Sequence, residues 1–253
     1  MKLFFREMGA GQPIIVLHGL FGSSDNWLTI GKALSEKYKV YLLDQRNHGQ
    51  SPHHDEFNYH VMASDLEEFV REQEIKNPII IGHSMGGKTA MQYAVNHPEE
   101  WIKLCVVDIA PRAYPVHHDS ILEGLNALNL VNLSSRNEAD KALAEYVQEP
   151  GVRQFLLKNL NRDSNGFSWK INLPVITDNI EIIGEGLSGK LTEIKPVLFI
   201  RGENSNYIKD DDFILIDQCF PNAAVETIEN AGHWVHAEQT DRFMETLTNF
   251  LNK

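Results

Sequence analysis

Short runs of apolar, mostly β-branched residues recur along the chain at 14–16, 40–43, 79–81, 104–107, 197–200 and 224–228, separated by amphipathic stretches. Continuous apolar runs, rather than alternating ones, mark strands buried on both faces, so the pattern predicts a mostly parallel α/β sheet with helices on either side. Apolar positions three and four apart predict helices over 26–35, 59–72, 85–95 and 241–251. Between about 111 and 191 the rhythm breaks. Three helical patterns follow one another there, over 120–130, 136–147 and 152–161, with a polar turn at Asn161-Arg162-Asp163-Ser164-Asn165-Gly166 and no convincing strand. This predicts a core of residues 1–110 and 192–253 with a helical lid, 111–191, inserted between two sheet strands.

The run Pro78-Ile79-Ile80-Ile81 ends in Gly82-His83-Ser84-Met85-Gly86 and opens into the helix predicted over 85–95. A serine at the apex of such a strand-to-helix turn projects its hydroxyl out of the sheet, and flanking glycines keep Cβ atoms out of the crowded bend. Ser84 is therefore the candidate nucleophile. After the first apolar run, Leu17-His18-Gly19-Leu20-Phe21-Gly22-Ser23 forms a glycine turn that can aim a backbone N–H at that serine. A tetrahedral oxyanion needs two such donors, for which the N–H of Met85 and that of Leu20 or Phe21 are the candidates.

In this arrangement the order along the chain is serine, acid, histidine. Ala231-Gly232-His233-Trp234 supplies His233 as the base on a late loop, with His236 as its rival. After the strand at 197–200, where an acid is expected, Arg201-Gly202-Glu203-Asn204-Ser205-Asn206 carries Ser205 and no aspartate. One strand earlier, Leu104-Cys105-Val106-Val107-Asp108 ends in an aspartate at the carboxyl edge of the sheet, where open α/β sheets collect their sites. Asp108 is therefore the expected acid and Ser205 a second partner near His233, with Glu203 and Asp210 as fallbacks. Asp44 and Arg46, in Asp44-Gln45-Arg46-Asn47-His48-Gly49, read as residues that order loops around the site.

Charge and cysteine content narrow the class. A net charge of −12 argues against nucleic acid or anionic lipid as a partner. The two cysteines sit in unrelated contexts and read as free thiols of a reducing, cytoplasmic compartment, and no run is long enough to span a membrane. The neighbouring pairs His53-His54 and His117-His118 do not make a metal site, so no metal is expected.

Together His18-Gly19, Asp44-x-Arg46-x-His48-Gly49-x-Ser51, Gly82-His83-Ser84-Met85-Gly86-Gly87, the lid-sized insertion and Gly232-His233 resemble the α/β-hydrolase fold along nearly the whole chain. Within it, Arg46-Asn47-His48-Gly49, Gly86-Gly87-Lys88, Asp108-Ile109-Ala110-Pro111 and Arg201-Gly202 with Ser205 are similar to small lidded bacterial esterases of the YbfF type. The resemblance implies an eight-stranded, mostly parallel sheet, a helical lid and no cofactor. It also implies hydrolysis of short- to medium-chain acyl esters or thioesters, with the acid after the earlier strand. The expected activity is thus a carboxylesterase or acyl thioesterase working through an acyl-enzyme on Ser84, as a monomer or homodimer. Cleavage of a carbon–carbon bond, an elimination, and a receptor without catalysis are the alternatives. Leu122, Leu125, Phe155 and Trp169 are candidates for lining an acyl pocket, against simple burial.

Overall fold

The computed structural model describes residues 1–115, 118–164 and 166–253. Among the described residues nine strands form two sheets: β1 Phe5–Met8, β2 Pro13–Leu17, β3 Lys39–Leu43, β4 Ile79–His83, β5 Lys103–Val107, β6 Leu160–Asp163, β7 Gly166–Trp169, β8 Val197–Gly202 and β9 Ala224–Ile228. The main sheet has seven strands in the order β1-β3-β2-β4-β5-β8-β9. Only β1 runs antiparallel, on β3; every other pairing in this sheet is parallel.

The strand count corrects the eight implied by resemblance. β1 is the outermost strand, residues 1–4 before it are not in a strand, and the chain passes from β1 to β2 through a short turn with Gly9 and Gly11 at φ 75° and 108°. β1 itself carries no apolar run: Phe5-Arg6-Glu7-Met8 is a partly exposed edge strand with two charged residues at its centre.

Alternate residues of the central strands feed two cores. Ile15, Leu17, Ile80, Leu104, Val106 and Phe199 pack under helices Tyr59–Glu72, Met85–Asn96 and Asp212–Cys219. Ile14, Val16, Val40, Leu42, Ile79, Ile81 and Cys105 pack against helices Leu28–Leu34 and Thr240–Leu251. Leu42 lies so close to Gly31 that a Cβ there would meet its Cδ1 at 3.0 Å, which lets helix Leu28–Leu34 settle onto β3. Both cysteines are free, Cys105 buried and Cys219 partly so. No helix among the described residues is long and apolar enough to cross a membrane.

Between β5 and β8 the chain forms helices Asp119–Ala127, Arg136–Leu143 and Pro150–Leu157, the hairpin β6–β7, and short helices Leu173–Asp178 and Ile180–Ile183. The hairpin corrects the expectation of a strandless segment. Helix Pro150–Leu157 stops early because Asn159 leaves the helical path and donates its amide to the Leu156 and Phe21 carbonyls, at 3.2 and 2.7 Å. The Arg136 guanidinium then takes the carbonyls of Leu157 and Leu160, which helix continuation would have paired. Of the polar turn read from sequence, Asn165 lies outside the described residues. A third apolar cluster joins Leu122, Leu125, Leu143, Leu156 and Ile176 of this segment to Phe21, Tyr59 and Met85 of the main body. Leu122 and Leu125 are therefore buried within that cluster, and Trp169 packs against it.

Phe243, fully buried, packs its ring against Trp27 and His236 with centroids 5.9 and 6.1 Å apart. Phe243→Ala is expected to lower the unfolding free energy by about 3–5 kcal/mol. The check is the urea midpoint at unchanged m-value.

Candidate active site

Ser84 stands between β4 and helix Met85–Asn96 with φ 53° and ψ −118°, a left-handed conformation that a residue with a side chain rarely adopts. Its own amide donates to Val107 O at 3.0 Å, and its carbonyl receives the Lys88 amide at 3.0 Å, so backbone bonds clamp the bend on both sides. A Cβ on Gly82 would overlap the Gly86 carbonyl, and one on Gly86 would overlap the carbonyl of Leu17 and sit 2.6 Å from that of His18. The two glycines of the motif are thus required by close backbone approach.

His233 lies across from it. Its Nε2 is 3.0 Å from Ser84 Oγ and its Nδ1 is 2.7 Å from Asp108 Oδ2. The carboxylate accepts at Nδ1–H, which fixes the tautomer and leaves the Nε2 lone pair facing the serine hydroxyl. The imidazole is held at three further points. Its ring stacks on Tyr207, centroids 3.9 Å apart at 21°; His83 Nε2 is 2.8 Å from the His233 carbonyl; and the two histidine rings sit 4.7 Å apart.

Asp108 follows β5 at φ 52°, also left-handed, and is fully buried. Its amide donates to Ile200 O at 2.8 Å, extending the β5–β8 ladder by one residue, and this rotates the side chain beneath the His233 loop. Oδ1 accepts the Gly202 amide at 3.0 Å, and Oδ2 accepts the Ser205 hydroxyl as well as the imidazole. Ser205, read from sequence as a second partner near His233, bonds to the carboxylate and not to the ring. Its oxygen in turn accepts the Tyr207 amide at 3.2 Å.

The other candidates fall elsewhere. His236 makes no hydrogen bond to Ser84; its ring lies flat on Trp27, centroids 4.1 Å apart at 9°. Glu203 accepts from the Asn230 amide, and Asp210 pairs with Arg201 at 2.7 Å. Asp44 accepts the amides of Ser24 and Gln50 at 2.6 and 2.8 Å, and Arg46 forms a two-pronged ion pair with buried Asp65 at 2.6 and 2.8 Å, so both order loops. His53 and His54 engage nearby backbone groups, and among the described residues no group of three or more His, Cys, Asp or Glu could hold a metal. His117 lies outside the described residues.

The turn before the serine depends on buried neutral imidazoles. His18 accepts the Gln45 amide at Nε2, 2.9 Å, and donates Nδ1–H to Gly19 O, 2.8 Å. His48 Nδ1 faces Arg46 O, so its Nε2 accepts the Phe21 amide at 3.2 Å. The Phe21 N–H is thereby occupied, whereas the Leu20 N–H has no acceptor among the described residues. Gly19 lies against the site: a Cβ there would be 3.2 Å from that of Ser84.

Two cavities meet at Ser84. One of about 40 Å³ is lined by Leu20, Tyr59, Met85, Ile109 and Ile183, with Lys88 among them. The other, about 990 Å³, runs past His233, Trp234, Phe155, Val152 and Ile121. Phe155 thus lines a cavity, unlike Leu122, Leu125 and Trp169.

Residues 12–119 match the family described as alpha/beta hydrolase fold. The sn-1-specific diacylglycerol lipase ABHD11 of Xenopus laevis is 40% identical over 250 residues, covering 95% of this chain and 80% of that one. The chain belongs to the alpha/beta hydrolase fold family. Esterase YbfF of Escherichia coli (strain K12) is 37% identical over 261 residues and the full length of both chains. Among solved alpha/beta hydrolase structures, a marine microorganism esterase superposes with a TM-score of 0.96 at 43% identity, covering 98% of this chain and 99% of that one.

Tyr207, His83 and the Gly202 amide escaped the sequence reading. Tyr207 has no motif around it; His83 sits inside the glycine motif, but only the fold brings it under the His233 carbonyl. Burial pushes His48 and His236 down to about 3, and His83 well below its ordinary value, each helped by neighbouring imidazoles. Below the ordinary histidine value of 6.5 the unfolded chain takes up protons at these rings that the folded chain refuses, so stability falls as pH drops from 6.5 toward 3. Urea midpoints are expected to decline across this range. His236→Phe, which keeps a ring on Trp27, is expected to remove up to about 1.4 kcal/mol per pH unit of that slope.

Proposed function

We propose that this hydrolase cleaves esters of short acyl groups on bulky apolar leaving groups, through an acyl-enzyme on Ser84. The reading is carried by the run of hydrogen bonds from Ser84 Oγ through His233 to Asp108. In the first step His233 Nε2 removes the hydroxyl proton as Ser84 Oγ bonds to the acyl carbon. The oxyanion is received by the N–H groups of Met85 and Leu20. Met85 opens its helix, where amides lack an intrahelical acceptor, and Leu20 is favoured over Phe21 because His48 occupies the Phe21 amide. The intermediate then collapses, the carbon–oxygen or carbon–sulfur bond to the leaving group breaks, and His233 returns the proton to it. Water repeats the sequence on the acyl-serine and regenerates the free hydroxyl. Asp108 stays ionised, orienting the ring and stabilising the imidazolium, and the Ser205 hydroxyl and Gly202 amide orient Asp108.

Orientation of the substrate follows from who hands over the proton. The leaving group must depart on the His233 side, and His233 and Trp234 line the large cavity. The acyl chain then takes the opposite, smaller one, whose 40 Å³ offers room for about three water-sized groups. The segment between β5 and β8 supplies Ile180 and Ile183 to the small cavity and Ile121, Val152 and Phe155 to the large one, which supports its reading as a lid.

With p-nitrophenyl esters from acetate to decanoate, acetate to butyrate are expected to be the best substrates. Ser84→Ala should lose about four to six orders of magnitude in kcat and Asp108→Asn about four. Ser205→Ala, which removes one hydrogen bond to a charged group, should lose about ten- to a hundredfold. Turnover surviving Ser84→Ala, or a larger loss in Ser205→Ala than in Asp108→Asn, would overturn the assignment. Intact-protein mass spectrometry should trap wild type, and not Ser84→Ala, with one acyl group added.

A further inference from the structure

Lys88 is a lysine where helix packing calls for an apolar residue. It lies one helical turn beyond Ser84 and is 2% exposed. Its surroundings are the rings of Tyr59 and Tyr114, 5.7 and 5.2 Å from Nζ, and the apolar wall of the small cavity. No carboxylate comes within ion-pair distance of it among the described residues. Burial, helped by the nearby Arg112 charge, pushes Lys88 down to about 7, and a polar amine so placed is unfavourable relative to an apolar side chain of like size, so its hydrogen bonds must account for its presence.

Those bonds go to two backbone carbonyls, Arg112 O and Glu185 O, both at 2.6 Å. Arg112 lies where the chain leaves the main body for the insertion, and Glu185 where it returns. The two passages touch: the Tyr114 amide donates to Gly184 O and the Leu187 amide to Pro111 O, each at 2.7 Å. They lie so close that a Cβ on Gly184 would stand 2.6 Å from Tyr114 O. One turn further along the same helix face, Gln92 exchanges two hydrogen bonds with the Ser188 backbone, at 3.1 and 3.2 Å. Tyr59, from the neighbouring helix, donates to Ile183 O at 2.6 Å.

We propose that Lys88 is a positioning residue that fastens both passages of the insertion to the helix carrying Ser84, and so sets the width of the small cavity. Two of its N–H groups meet the two carbonyls, and among the described residues no other side chain on this helix hydrogen-bonds to both passages. Ile180, Ile183 and Gly184, which line the small cavity together with Met85, lie directly before Glu185 on the returning passage. Loosening it widens the space next to the nucleophile. The activity consequence rests on the function proposed above; the fastening itself does not.

The test is Lys88→Met, which keeps the length of the side chain and removes every donor. Hydrogen exchange at the Tyr114 and Leu187 amides is expected to speed up at least about tenfold while amides of β4 and β5 keep their wild-type protection. The preference for p-nitrophenyl acetate over hexanoate is expected to fall about tenfold, mainly through KM. Lys88→Gln, with two donors on a shorter stem, should fall between Met and wild type. Unchanged exchange at both amides in folded Lys88→Met overturns the proposal, whatever the activity does. If Lys88→Met does not fold, wild type labelled with ¹⁵N-lysine decides. Slowly exchanging Nζ protons with cross-peaks to both passages support the fastening, and freely exchanging ones overturn it. Failure of the nucleophile assignment would show separately, as turnover surviving Ser84→Ala, and leaves the exchange measurement standing.

Discussion

The backbone of Ser84 is the constraint on which the candidate site depends. A non-glycine residue at φ 53° and ψ −118° is strained by roughly 1–3 kcal/mol and persists only where its surroundings over-determine it. Here they do: the β4–β5 ladder is continued by the Ser84 amide, the helix begins on the Ser84 carbonyl, and Gly82 and Gly86 allow the strand, the helix and the end of β2 to approach within backbone contact. The strain places the hydroxyl clear of the sheet edge with the first turn of a helix directly behind it. Relaxing φ would turn Oγ away from His233 and shift the Met85 amide with it.

Asp108 uses the same device one strand over. It too is left-handed, and its amide also continues a ladder, on β8, before the chain departs. Ser84 and Asp108 are thus the last paired residues of adjacent parallel strands, each turned by a positive φ. His233 reaches them from the loop that follows β9, and Tyr207 and His83 limit where its ring can go. Tyr207 is itself held by its carbonyl, which accepts the Tyr114 hydroxyl at 2.5 Å. The entrance to the insertion and the histidine loop therefore share one brace.

How much of this could be read from residues alone follows from the kind of signal each part leaves. The five strands β2, β3, β4, β5 and β8 were legible because burial on both faces forces an unbroken apolar run; of the two edge strands, β9 kept a weaker signal in Ala224, Val225 and Ile228, whereas β1, partly exposed with Arg6 and Glu7 at its centre, leaves no such run. The hairpin in the insertion was hidden because the end of helix Pro150–Leu157 depends largely on contacts distant in sequence, the Arg136 guanidinium and the Phe21 carbonyl, beside the local bond from Asn159 to Leu156 O. Ser84, His233 and Asp108 could be picked out because each follows a strand or a glycine turn. The direction of the Ser205 hydroxyl could not, since it depends on Asp108 being rotated by its backbone. The Phe21 and Leu20 amides are neighbours in one turn, and only the His48 ring, from a separate loop, tells them apart.

The third apolar cluster bears on how freely this scaffold can be re-cut. It does not stop at the boundary of the insertion: Phe21, Tyr59 and Met85 belong to it as fully as Leu143 or Ile176. Phe21 neighbours Leu20 in the turn beside the serine, and Met85 is the residue after the serine. A chimera that exchanged the insertion for one from a relative would therefore re-pack the side chains flanking both of those amides, even with every residue of the main body unchanged. The modular unit is the insertion together with the turn and the first helical residue it rests on.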